Sequence, residues 1–168
     1  KISSGIRKRK GKGRKDKGMA LLTFKGGVHP DDGKSLAKDK AIVSVKPEGA
    51  LVYPVSQHIG APASPVVAVG DRVLKGQKIA EAGGFVSAPV YASVSGTVKA
   101  IEPRFNPAGS KVNSIVIEND GEYEEVTYPE VKPLDEMTKE EILNVIAEAG
   151  IVGMGGAGFP TRVKLSPK

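Results

Sequence analysis

The 168-residue chain has no cysteine and no tryptophan, and aromatic side chains make up only 5% of it. Without thiolates it forms no disulfide, and no Cys-ligated zinc or iron–sulfur site can be built from these residues. The scarcity of aromatics leaves few platforms on which bases could stack, so nucleic acid is a poor partner. No apolar run approaches the roughly 18 residues that a spanning helix needs. The start also lacks the hydrophobic stretch of a secretory signal. What the chain does have is 21 glycines and 12 prolines, with apolar residues at 39%. That balance points to a turn-rich, largely β body with one moderate core, not to a helical bundle.

The net charge of +6 misleads. Nine of the 25 basic residues but only Asp16 of the 19 acidic ones fall in residues 1–18, so this stretch carries +8 and the rest −2. Too polar to build a core, it reads as a disordered basic arm or an expression leader that ends where Met19 could start a natural chain. A grip on nucleic acid or on an anionic membrane surface is the third reading.

Beyond the arm, short extended pieces are expected at Ala20–Phe24, Ala41–Val45 and Leu51–Val55, then at Ser64–Val69, Lys78–Ala82, Pro89–Val94, Gly96–Ile101 and Ser114–Glu118. All are bounded by Gly, Asn, Asp or Pro turn chemistry. A faint repeat links Ser64–Val73 with Ala88–Val98: Pro, Val, Ala, Val, Gly and Val recur in order, as two β units pairing face to face would require. A composition shift near residue 130 sets the domain boundary, giving a β domain over 19–130 and a second segment over 131–168. In the latter, Thr138-Lys139-Glu140-Glu141 is a capping box, and Ile142, Val145, Ile146 and Ala149 follow at helical spacing. The expected helix is 139–149, stopped by Gly150.

His29 and His58 are the two histidines. Imidazole titrates near neutrality and could serve as ligand or acid/base. With no carboxylate at metal spacing, each reads better as a ring bonded to loop backbone. Glu122, Glu124 and Glu125 read as a solvated face. No catalytic residue and no metal ligand stands out.

The densest signal is Gly150–Lys164, with five glycines in its first nine residues, then Phe159-Pro160-Thr161 and Lys164. Cβ-free positions allow backbone N–H groups to form an anion-binding concavity, and Lys164 adds a point charge that can reach a phosphate. A helix-like segment precedes the loop, so the dinucleotide fingerprint, which follows a strand, does not apply. A flexible tether is the bland alternative.

Three resemblances follow from these residues. Val69–Ala80 with Val94-Ser95-Gly96-Thr97-Val98 resembles the biotinyl/lipoyl pattern, whose fold is a flattened β sandwich with quasi-twofold symmetry. Carriers display a modified lysine at the hairpin tip, here Gly83-Gly84-Phe85-Val86, and no lysine lies between Lys78 and Lys99. The carrier function does not transfer, and a docking role replaces it. Gly153-x-Gly155-Gly156-Ala157-Gly158-Phe159-Pro160-Thr161-x-x-Lys164 resembles the flavin mononucleotide (FMN) loop of the NADH-oxidising subunit of respiratory complex I, with Met154 where an arginine is common. Thr23–Pro30, Ser56–Ala63 and Ala82–Val90 resemble the C subunit of the Rnf electron transport complex, and the likeness runs from about Met19 to Lys168.

The last resemblance implies a mainly β fold: a barrel-sandwich hybrid (biotinyl/lipoyl-like) domain followed by the start of an α/β flavin/NADH-binding domain, with the longer protein continuing past residue 168. Gly153, Gly155, Gly156, Ala157, Gly158 and Lys164 would hold FMN there. NAD(H) and two 4Fe-4S clusters would be bound beyond this chain, and the piece alone would hold no cofactor and be inactive. Implied partners are NADH and the other subunits of a membrane-bound, ion-translocating ferredoxin:NAD oxidoreductase, with peripheral attachment on the cytoplasmic side of the bacterial inner membrane. An adaptor module without chemistry of its own is the alternative.

Overall fold

A computed structural model describes residues 30–167. Residues 30–44 belong to one compact unit and 45–167 to another. In the first, Gly33 at φ 64° opens a single 3-10 turn, Lys34–Leu36. The piece expected to be extended at Ala41–Val45 is not a strand: Ile42, Val43 and Val45 are exposed, and among the described residues no neighbouring strand supplies the ladder bonds that hold extended backbone. The expected Ala20–Phe24 piece and His29 lie outside the described residues.

The second unit is mainly β. Its strands are β1 (Ala50–Pro54), β2 (Ser64–Pro65), β3 (Arg72–Val73), β4 (Lys78–Glu81), β5 (Val90–Tyr91), β6 (Gly96–Phe105) and β7 (Lys111–Asn119). They form a four-stranded sheet in the order β1-β7-β6-β3 and a three-stranded sheet in the order β2-β4-β5. Every strand pair in the two sheets is antiparallel.

One core draws on both sheets. Val73, Ile79, Val94, Val98, Ile115 and Ile117 are at most 1% exposed, and Tyr53 and Val90 close the cluster. The period-2 pattern of β6 puts Val98 inside between exposed Thr97 and Lys99. Burial of each such side chain contributes about 1.5–3 kcal/mol.

The repeat has a physical counterpart. Pro65 and Val90 both lie opposite Ala80 of β4, one on each side. The second halves pair with each other, since Gly70 N–H donates to Val98 O (2.8 Å) and Val98 N–H to Asp71 O (2.8 Å). The strand expected at Ser64–Val69 is only two residues long, because the chain turns at Ala68, whose N–H donates to the Asp71 carboxylate (2.8 Å). The expected Pro89–Val94 strand shortens likewise to β5.

Two of the three glutamates on this exposed face also make ion pairs. Glu124 pairs with Arg72 (2.8 Å) and Glu125 with Lys75 (3.2 Å), while Lys75 and Glu125 form an isolated parallel bridge. Asp120, held below the usual carboxylate range by Ser95 Oγ and the Glu122 N–H, completes this clasp between β3 and the segment after β7.

Helix α1 (Lys139–Glu148) starts at the capping box: Glu141 N–H donates to Thr138 Oγ1 (3.2 Å), and Thr138 N–H donates to the Glu141 carboxylate (2.8 Å). Gly150, at φ 65°, stops it. No residue of α1 is fully buried. Its C-terminus is tied to the three-stranded sheet by a Lys78–Glu148 ion pair and by the Tyr91 hydroxyl donating to Glu148 O. The same hydrogen bond from Lys78 to Glu148 raises the Lys78 pKa.

Core and cap can each be tested. Ile117→Ala should cost about 2–5 kcal/mol of unfolding free energy, against less than about 1 kcal/mol for Val145→Ala on half-exposed α1, read from urea titrations. At the cap, Lys132 and the Thr138 N–H hold the Glu141 carboxyl at about 2, below its ordinary 4.5. A depressed folded value means that the cap's contribution is complete above the ordinary value and is lost as pH falls toward 2. Protection of the first-turn amides of α1, taken relative to intrinsic exchange at each pH, should fall over that window, and Glu141→Gln should remove that fall.

Candidate functional site

Past Gly150 the chain folds back on itself. Val152 and Pro160 form an antiparallel bridge, Gly153 N–H donates to Phe159 O (2.9 Å) and Thr161 N–H to Ile151 O (3.0 Å). These bonds close residues 153–159 into a bend, and Pro160 leads into a short helix, α2 (Thr161–Lys164). Among the described residues, the N–H groups from Met154 to Phe159 donate to no protein acceptor. Lys164, the last residue of α2, is exposed, and its Nζ lies 5.7 Å from the centroid of the Phe159 ring. That Nζ also stands 3.6 Å from where a Cβ on Gly153 would be.

The glycines of this bend serve different needs. Gly158 is buried at φ 63°, and a Cβ there would come within 2.8 Å of Gln57 O and 3.0 Å of His58 Cα. Packing and backbone conformation together demand glycine at that position. Gly155 and Gly156 are exposed, have no left-handed φ, and a Cβ on either would meet nothing within 4 Å. Nothing in the fold requires glycine at these two, so the open space beside them is the feature to explain. Ala157 turns its carbonyl inward and accepts from Ile59 N–H (3.0 Å).

The seat of the bend is the strap of residues 56–63. Gly60, at φ 99°, lies against the Val86 backbone, where a Cβ would collide. Ala61 N–H donates to Val86 O (2.9 Å), and Ser87 Oγ donates to Ala61 O (2.8 Å) while accepting from Gly83 N–H (2.9 Å). His58 is 8% exposed; its Nε2 accepts from Ala88 N–H (3.1 Å) and its Nδ1 lies 3.2 Å from Ile59 O. Nε2 also lies 3.0 Å from Ala88 O, so both ring nitrogens face loop backbone. The loop-bonding reading of His58 is the one the structure bears out. The strap thus lies between the hairpin tip, where a carrier would display its lysine, and the glycine bend.

Sequence reasoning took the Ser56–Ala63 motif as a family signature and missed its role as the bend's seat. The close spacing of Gly60, Pro62 and the glycine pair at 83–84 was the available signal for backbones in contact. It also missed the β6–β7 turn, Asn106–Ser110, whose Asn106 Oδ1 accepts from Ala108 N–H (3.1 Å) and Ser110 N–H (2.9 Å). Strap, turn and bend enclose an open-mouthed cleft of about 870 Å³. A smaller cavity, about 210 Å³, lies between the hairpin tip and the two helices. No group of three or more His, Cys, Asp or Glu side chains suited to a metal ion occurs among the described residues. Nor is any described helix long and apolar enough to cross a membrane.

Comparison with known proteins bears on this arrangement. The family model for the RnfC barrel sandwich hybrid domain matches residues 22–122. The C subunit of the proton-translocating ferredoxin:NAD(+) oxidoreductase complex of Clostridium ljungdahlii is 50% identical over 148 residues, covering 88% of this chain and 32% of that protein. The C subunit of the Na(+)-translocating ferredoxin:NAD(+) oxidoreductase complex of Acetobacterium woodii is 46% identical over 147 residues, 86% of this chain and 33% of that protein. The C subunit of an ion-translocating oxidoreductase complex of Vibrio cholerae is 40% identical over 147 residues, 86% and 19% respectively. The chain spans a third or less of the length of these relatives.

Gly158→Ala tests the seat. It should break the Ile59–Ala157 contact and raise the exchange rate of the Ile59 amide at least tenfold, while the core amides of β6 and β7 keep their protection.

Proposed function

The chain belongs to the RnfC barrel sandwich hybrid family, and from that premise we propose that it is the N-terminal part of the C subunit of an ion-translocating ferredoxin:NAD oxidoreductase, carrying the first wall of an FMN site. The observation that carries the cofactor reading is the pair Gly155 and Gly156. The fold leaves both free to bear a side chain, yet neither does, as close approach of a ligand to the backbone would require. Beside them stand the N–H groups of residues 154–159, which find no acceptor among the described residues, and the Lys164 ammonium, a donor set suited to phosphate.

In this reading Gly153, Gly155, Gly156, Ala157, Gly158 and Lys164 form the cofactor loop. Gly155 and Gly156 admit the ligand, Gly158 and Ala157 seat the loop on the strap, and Lys164 neutralises phosphate charge at Gly153. Bound flavin would supply the exchange between hydride transfer with NAD(H) and single-electron transfer to two 4Fe-4S clusters, both held by later parts of the protein. Residues 131–168 open the flavin/NADH-binding domain, and the β module over 19–130 precedes it. Partners are NADH and the other subunits, with peripheral attachment on the cytoplasmic side of the membrane. The adaptor alternative has one observation in its favour: Phe85 at the hairpin tip is 70% exposed, a knob for a partner surface.

The test uses the full-length subunit. It should bind FMN, and Gly155→Val and Lys164→Gln should each weaken binding at least tenfold without lowering Tm, since neither side chain is part of the core. The 168-residue piece should bind FMN more weakly than micromolar. A full-length subunit that purifies colourless and does not take up added FMN refutes the cofactor reading.

A further inference from the structure

The open cleft beside the glycine bend has two walls. Gly153, Met154, Gly156 and Ala157 form one, and the β module forms the other through the strap and the β6–β7 turn. Although 26% of the chain is charged, no Lys, Arg, Asp or Glu among the described residues lines this cleft. Lys164 stands at Gly153 but is not part of the lining. A phosphate desolvated among uncharged groups is costly, whereas a flat neutral heterocycle is not. The apolar side chains facing the cleft are exposed: Ile59 is 49% and Met154 94% accessible. At the rim, Gln57 is exposed, and its amide makes no side-chain hydrogen bond among the described residues. A planar amide of this kind pairs well with an imide edge. The cleft, about 870 Å³ and open to solvent, has room for a flat ring system.

We propose that this cleft receives the ring system of the flavin, with Ile59 and the Asn106–Ala108 turn as its second wall, so that the barrel-sandwich module is part of the cofactor site. The inference rests on the cofactor reading above and adds an orientation: phosphate toward Lys164 and the free N–H groups, rings toward the strap. Hydrogen bonds from backbone N–H groups hold the wall. Ile59 N–H holds Ala157 O and so fixes the spacing across the cleft, and Asn106 pins the turn by accepting two backbone N–H bonds. A module that carries no lysine at its tip would then contribute its surface to a cofactor held by the neighbouring loop.

Riboflavin and FMN share the rings and differ by the phosphate, which makes the placement testable on the full-length subunit. Ile59→Asp keeps the backbone N–H and puts a carboxylate against the rings, and Ala108→Glu does the same from the turn without touching the strap. Each should weaken riboflavin and FMN alike, at least tenfold, by fluorescence titration. Lys164→Gln should weaken FMN and leave riboflavin unchanged. If both cleft variants leave both ligands unchanged while Lys164→Gln and Gly155→Val still cost FMN binding, the second wall is refuted and the cofactor loop stands. If the cleft variants weaken FMN but spare riboflavin, the carboxylates act on the phosphate and the orientation is refuted. Absence of flavin binding in the unsubstituted subunit overturns both readings.

Discussion

Close approach of backbone to backbone, at positions without Cβ, is the constraint on which this molecule depends. Gly60 lets the strap lie on Val86, and Gly158 lets the bend lie on Gln57 and His58. Remove either clearance and the hairpin tip, strap and bend can no longer stack. Because each contact is between main chains, the geometry is set by peptide dimensions and hydrogen bonds instead of side-chain rotamers. His58 reinforces this stack from inside, with one ring nitrogen on the strap itself and the other on Ala88 beyond the tip. A bend seated in this way on a β module is held in place as a free tether is not.

Lys164 stands at Gly153 outside the lining of the cleft, and no Lys, Arg, Asp or Glu among the described residues lines the cleft itself. The charges that the β module does carry are spent elsewhere: Arg72 and Lys75 hold the segment after β7, and Lys78 holds the end of α1. These exposed pairs contribute little to stability. Their effect is to fix where segments lie, and Lys78 with Tyr91 brings the end of α1, and hence the start of the bend, onto the three-stranded sheet.

The parts of the structure legible in the sequence were the local ones. The valine-rich runs gave β1, β4, β6 and β7, and Thr138 and Glu141 with Gly150 gave both ends of α1. Where a polar side chain competed with the ladder, as Asp71 does at Ala68, the run of apolar letters overstated the strand. Ala41–Val45 has strand-like composition and no partner among the described residues, and composition cannot report a missing partner. The glycine bend was conspicuous, but five glycines read alike as letters. Only three-dimensional placement separates Gly158, which packing requires, from Gly155 and Gly156, which packing leaves free. The strap and the β6–β7 turn were invisible as site elements because their contacts join residues far apart in the chain, and no periodicity encodes such pairings.

The relation to carrier modules can be argued one step further. A swinging carrier needs its hairpin tip free on all sides, so that a long arm can visit distant sites. In this chain the tip is braced on the strap through Val86 and Ser87 and faces the two helices across a small cavity. With the tip held on that side, a modified lysine would have lost its reach, and the absence of lysine between Lys78 and Lys99 removes no function that the geometry could still support. A rigid tip is an advantage for a module that must hold a neighbouring loop in register. The same β scaffold therefore serves opposite mechanical ends: mobility when the tip is exposed and carries the cofactor, fixity when the tip is braced and a loop beside it would hold the cofactor instead.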